Sequence, residues 1–133
     1  MLIQHINPPT LPPTNGWTQV VTTTGGKTIY ISGQVGVNDK GEVIGKGDMK
    51  PQTEQTFANL KAGLTAAGAT FNDVVKMNLY VVGLKPEHVP AIREVRAKYV
   101  NMAKAPASTL VGVSALVVPD WLIEIEVVAV VVE

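Results

Sequence analysis

Two carboxylates, Glu124 and Glu126, alternate with Ile123 and Ile125 near the end of the 133-residue chain. A period of two is that of an extended strand, so both acids point to one sheet face and both isoleucines to the other. The run Val-Val-Ala-Val-Val-Val that follows is apolar on both faces, as in a strand covered on both sides. A charge at the mouth of such a strand must be paired, hydrogen-bonded or neutralised. Carboxylates so placed are candidates for acid–base chemistry. The plainer explanation is a salt bridge or a solvated strand end, with Lys76 as the expected partner of Glu126.

A second feature is Ser32-Gly33-Gln34, which interrupts the apolar strand around it. Glycine inside a strand marks a bulge or a close backbone approach. Its functional alternative is a backbone N–H offered to a bound anion. The basic side chains Arg93, Arg96 and Lys98 cluster on one expected helix. There Arg93 flanks the apolar face and could reach across an interface, although such a cluster is most often a solvated edge.

Other chemistries are excluded or disfavoured. The chain has no cysteine, which rules out disulfides, thiolate nucleophiles and cysteine-bound zinc. His5 and His88 are far apart with no metal-ligand spacing, so no metal site is expected. Gly45 and Gly47 lack the Gly-Lys-Ser/Thr element of a phosphate loop. Eleven basic residues balance eleven acidic ones, which argues against nucleic acid or an anionic membrane surface as a partner. The same neutrality leaves little repulsion to oppose self-association. No segment reads as a signal peptide or a spanning helix, so a soluble, cytoplasmic protein is expected.

These residues must be carried by one domain, residues 1–133. Residues 1–16 hold four prolines and read as an extended lead-in. Thr18 to Thr24 is a strand, and Gly25-Gly26 a hairpin turn into a second strand from Lys27 to Val37. Pro51 to Ala67 is a helix with Phe57, Leu60, Leu64 and Ala67 on one stripe and Gly68 beyond its end. Thr53, Lys61 and Thr65 should face solvent. Asp73 to Val82 is a strand with Val75, Met77, Leu79 and Val81 on one face and Lys76, Asn78 and Tyr80 on the other. Residues 86–101 form a second helix, with Val89, Ile92, Val95 or Arg96, and Tyr99 inward. The stretch 106–126 reads as two extended runs joined at Pro119-Asp120. The order predicts an α+β fold: a mixed, largely antiparallel sheet of about six strands with two helices on one face. The other face, with Tyr30, Tyr80, Val128 and Val130, then needs a cover, and self-assembly supplies one.

With these elements placed, the chain resembles the Rid/YjgF family, the reactive intermediate (imine/enamine) deaminases. Three pieces carry the resemblance: Ile-Tyr-Ile-Ser-Gly-Gln-Val at 29–35, Gln55 to Ala69 with Asp73-Val74-Val75-Lys76, and Pro106-Ala107 with Ile123 to Glu126. The resemblance implies a homotrimer with small-molecule clefts between subunits. In deaminating members an arginine holds the carboxylate of a 2-imino acid, and a glutamate orients the water that attacks the imine carbon. An imine is already electrophilic, so positioning and a basic water suffice without metal or cofactor. Carried over, Glu124 matches the water-orienting acid, and Ser32 and Gly33 match the residues beside the ligand. Trp17 stands where a tyrosine is usual, Arg93 where some members have an asparagine, and Leu110 where a cysteine lines the pocket.

The departure is Ser108, which stands where deaminating members have the arginine. A guanidinium binds a carboxylate through two charge-assisted bonds, each worth roughly 1.5–3 kcal/mol. A serine hydroxyl does not replace them, so turnover of ordinary 2-imino acids is expected to be weak unless Arg93 stands in. Ser108 and Thr109 would suit a neutral or polar ligand. Two functions follow: a cofactor-free hydrolytic deaminase of a small imine or enamine, or a homotrimer that binds a small metabolite without turning it over.

Overall fold

Six strands and two helices form in the computed structural model, which describes residues 2–132. Strands β1 (Leu2–Ile6) and β2 (Val20–Thr24) pair antiparallel as a separate ribbon. The lead-in therefore starts with a strand. Its prolines come after that strand, where no ladder N–H is required. Gly25 and Gly26 take φ of 71° and 80°, the left-handed turn that a Gly-Gly pair allows. The turn does not close a hairpin, however. It passes the chain from the ribbon to β3 (Lys27–Val35), which belongs to the main sheet.

The main sheet has the order β3-β6-β4-β5, with β4 (Val74–Val82), β5 (Ala107–Val113) and β6 (Ile123–Val131). Strand β6 runs antiparallel to β3 and β4, while β4 and β5 are parallel. The sheet is mixed, as expected, but its six-strand complement divides into four and two. The stretch 106–126 is not a hairpin, because β4 lies between its two strands. A parallel pair needs a crossover, and helix α2 (His88–Arg96) provides it between β4 and β5. The regular part of this helix is shorter than the 86–101 span expected, and Pro90 lies in its first turn, where proline is tolerated.

Helix α1 (Met49–Ala66) packs with α2 on one sheet face. Gly68, at φ 79°, ends the helix as its position predicts. Phe57, Leu60 and Leu64 meet Ile123, Ile125, Val127, Met77, Leu79 and Val81 in the core. Burying each such side chain stabilises the fold by roughly 1.5–3 kcal/mol. Phe57 also stacks on Tyr99, with ring centroids 5.3 Å apart. Thr53, expected in solvent, is fully buried with Gln52 and Thr56. Its hydroxyl donates to the Met49 carbonyl at 2.7 Å, which removes the cost of burial.

Two further placements differ from expectation. Pairing slips between Val74 and Lys76, so Val74 enters the core and Val75 stays half-buried. On the face away from the helices Tyr30 is 79% exposed, whereas Val130 is already buried within the chain.

Candidate functional site

The start of β5 anchors the first half of the site. Thr18 donates its backbone N–H to the Pro106 carbonyl at 3.1 Å and its hydroxyl to the Ala105 carbonyl at 2.5 Å. These bonds hold Trp17 beside Ser108. Both line a cavity of about 310 Å³ with Leu110, Arg93 and Arg96. Leu79, Val89 and Ile92 supply apolar wall, and Asn15 lies at the rim. Four sequence-predicted residues are thus brought together: Trp17, Arg93, Ser108 and Leu110. Thr109 is not among them. It pairs in register with Asn78, which puts it on the other face, and it accepts from the Lys76 ammonium at 3.4 Å.

The second half lies on that other face. The β3–β6 pairing slips between Ile31 and Gln34, so Ser32-Gly33 is a bulge. Glu124 folds over it: a Cβ built on Gly33 would stand 2.7 Å from the Glu124 carboxyl carbon. The close backbone approach anticipated at Gly33 is therefore an approach to Glu124. Ser32 lines a shallow depression with Lys76, Asn78 and Glu126.

Glu126 does not pair with Lys76. Register sets Asn78 opposite Glu126 and Lys76 opposite Val128. The Tyr80 hydroxyl donates to Glu126 at 2.5 Å, and the Asn78 amide donates at 3.4 Å. Bonding to the carboxylate, followed by burial, raises the Tyr80 pKa.

Register also sets the relation between the halves. Glu124 pairs with Tyr80, on the face away from the helices, whereas Ser108 pairs with Met77 in the core. Within one chain Glu124 and the cavity are thus on opposite sides of the sheet.

The helical spacing left open whether Val95 or Arg96 faces inward, and the basic cluster read as a solvated edge. Both residues are buried, with only 7% of the Arg96 surface exposed. The signal was present: Val89, Ile92 and Arg96 recur at spacings of three and four, the period of a buried stripe. Burial, and then the nearby Arg93, lower the Arg96 pKa.

A mixed sheet backed by two helices, with a glutamate closing on a strand-bulge glycine, defines a small α+β protein of a type already solved. A Rid-family protein of unknown function from Yersinia pestis superposes with a TM-score of 0.89 at 40% identity, covering 98% of this chain and 100% of the other. RidA from an Antarctic Psychrobacter superposes at 0.70 with 32% identity, covering 96% and 99%. In sequence, a RutC family protein from Pyrococcus horikoshii is 41% identical over 104 residues, 78% of this chain and 79% of its own. A protein named 2-iminobutanoate/2-iminopropanoate deaminase from Dermatophagoides farinae is 35% identical over 91 residues, 68% and 69% of the two chains. The family described as Endoribonuclease L-PSP matches residues 9–131. The chain belongs to this family, the Rid/YjgF proteins. Among the described residues, no helix is long and apolar enough to cross a membrane.

Proposed function

We propose that this protein is a cofactor-free hydrolytic deaminase of a small imine or enamine, working at clefts between copies of the chain in a homotrimer. The carrying observation is the placement of Glu124 and Ser108 on opposite sheet faces. Neither half can serve the other within one chain, but an edge packed on a neighbour's open face brings them together. In that cleft Glu124 orients and deprotonates the attacking water, a role general bases fill through geometry first. The water oxygen bonds to the imine carbon, the nitrogen takes up protons, and ammonia leaves as the carbonyl forms. Ser32 and Gly33 border the ligand, and Trp17 and Leu110 supply apolar contact. The named activity of the mite relative supports the reaction class.

The decisive assay measures ammonia released from imines that an amino-acid oxidase generates in situ. The wild type should accelerate release and Glu124→Ala should return it to the buffer rate. Equal rates for both would sink the catalytic reading. Sedimentation should give three times the 14.1 kDa chain mass, and a monomer would remove the cleft. A second reading, a trimer that only binds its metabolite, is favoured by Ser108 where an arginine would be expected. If Ser108→Arg creates activity on short 2-imino acids that the wild type lacks, that reading holds for the natural chain.

A further inference from the structure

Among the described residues, Arg96 is a buried cation without a partner. Its Nε and Nη2 are shut from water and make no hydrogen bond. The ion pairs formed among the described residues use Lys46, Lys50 and Lys98, and neither Arg93 nor Arg96 takes part. A buried charge left so is expensive unless something pairs with it. Nε and Nη2 are also the two parallel donors along one edge of the guanidinium. That edge matches the two oxygens of a carboxylate.

The cavity beside it fits the same ligand. Arg93, three residues earlier on α2, shares its lining. No Asp or Glu lines it among the described residues, and Trp17, Leu79, Val89, Ile92 and Leu110 make the rest largely apolar. The positive charge selects an anion. The apolar wall and the cavity's size of about 310 Å³ favour a short, largely apolar carboxylic acid over a bulky or strongly hydrated one. The Arg96 Nη1 lies near Gly16, 3.3 Å from where a Cβ would stand. Reaching the free edge therefore takes a rotation of the guanidinium or a shift of the Asn15-Gly16 loop.

We propose that Arg96, assisted by Arg93, is the carboxylate-binding group of this cavity, so that helix α2 takes the task that Ser108 cannot perform. The inference deepens the deaminase reading by naming a short-chain carboxylate as the ligand class. Its test measures binding, so the two can fail separately.

The probes are pyruvate and 2-oxobutanoate, stable oxygen counterparts of imino acids, with pyruvamide and inorganic phosphate as comparisons. Trp17 fluorescence, read in a Trp121→Phe background, reports occupancy. Both acids should quench it and pyruvamide should not. Arg96→Met should weaken acid binding roughly tenfold or more, the equivalent of one charge-assisted contact. Arg93→Met, at an exposed position, should weaken it roughly two- to fivefold. If Arg96→Met does not fold, Arg96→Lys decides: it keeps the charge but lacks the fork, and should also bind more weakly. Equal binding of acid and amide, unchanged binding in the Arg96 variants, or tighter binding of phosphate than of either acid would overturn the proposal. Acid binding without ammonia release would uphold this inference and end the deaminase reading. Ammonia release that is unaffected by Arg96→Met or Arg96→Lys would do the reverse.

Discussion

Helices α1 and α2 both bury polar side chains, but with opposite outcomes. On α1, Gln52 donates to the Asp120 carbonyl at 2.8 Å and accepts from the Leu122 N–H at 2.9 Å. Thr53 and Thr56 each donate to a carbonyl one turn back. Each buried hydroxyl has a partner, and the Gln52 amide clamps the helix to the segment leading into β6. On α2, Arg96 is also buried, though less completely, and has two donors unused. A satisfied buried group is part of the scaffold. An unsatisfied one carries a free-energy cost, and a bound group that pairs with it removes that cost.

The contrast breaks most visibly at Gln52. Gln52→Leu leaves the Leu122 N–H and the Asp120 carbonyl without partners, and should lower unfolding free energy by on the order of 2–4 kcal/mol. Chemical denaturation measures it. A loss under about 1 kcal/mol would mean that the amide is not a clamp.

Gly33→Ala comes next. The glycine is not in the left-handed region, so the backbone accepts alanine, but the new methyl group overlaps the Glu124 carboxylate. Glu124 must swing away, and if it is the base of the proposed deaminase the misplacement should cost roughly tenfold to hundredfold in rate. Stability should change little, because the displaced atoms end a flexible side chain. Unaltered ammonia release would detach the bulge from the site.

Arg96→Met should have the opposite sign to Gln52→Leu. Replacing an unpaired buried charge with an apolar side chain of similar length should raise stability by about 1 kcal/mol. A clear loss would place Arg96 with the scaffold of α1.

Much of this was legible in the chain, and the misses have physical causes. The alternation at 123–126 set the Glu124 face correctly, and helical spacing found Phe57, Leu60 and Leu64. Pairing order was not legible, because strand periodicity is blind to which strand lies alongside. Hence the 106–126 stretch read as continuous although β4 divides it. Lys76 was matched to Glu126 by charge, but register hands Glu126 to Asn78 and Tyr80. Val75 was lost to a slip of one residue, which periodicity cannot anticipate. For the site, resemblance singled out Trp17, Ser108 and Leu110, which share one cavity. It named Gly33 and Glu124 without bringing them together; their close approach is a matter of register and side-chain placement. Resemblance carried no role to Arg96, and spacing alone left Val95 and Arg96 as alternatives, because a positive charge on a mixed helix face is usually solvated.

The smallest effect concerns Tyr80 and Glu126, a satisfied pair outside the helix-packed core. The hydroxyl donates to the carboxylate, so ionising Tyr80 would lose the bond and set two negative charges together. The pKa is accordingly raised above the ordinary value of 10.0. The folded state holds this proton more tightly than the unfolded chain. The stability it confers is full below the unfolded value and declines as pH rises through the folded one. Unfolding free energy measured between about pH 9 and 11 should therefore fall more steeply for the wild type than for Tyr80→Phe. Parallel slopes would show that the bond does not persist in solution. Because the pair is partly open to solvent, its effect near neutrality should be well under about 1 kcal/mol. A partly exposed bond is thus expected to show itself in pH dependence more than in stability, whereas the buried partners of Gln52 should show the reverse.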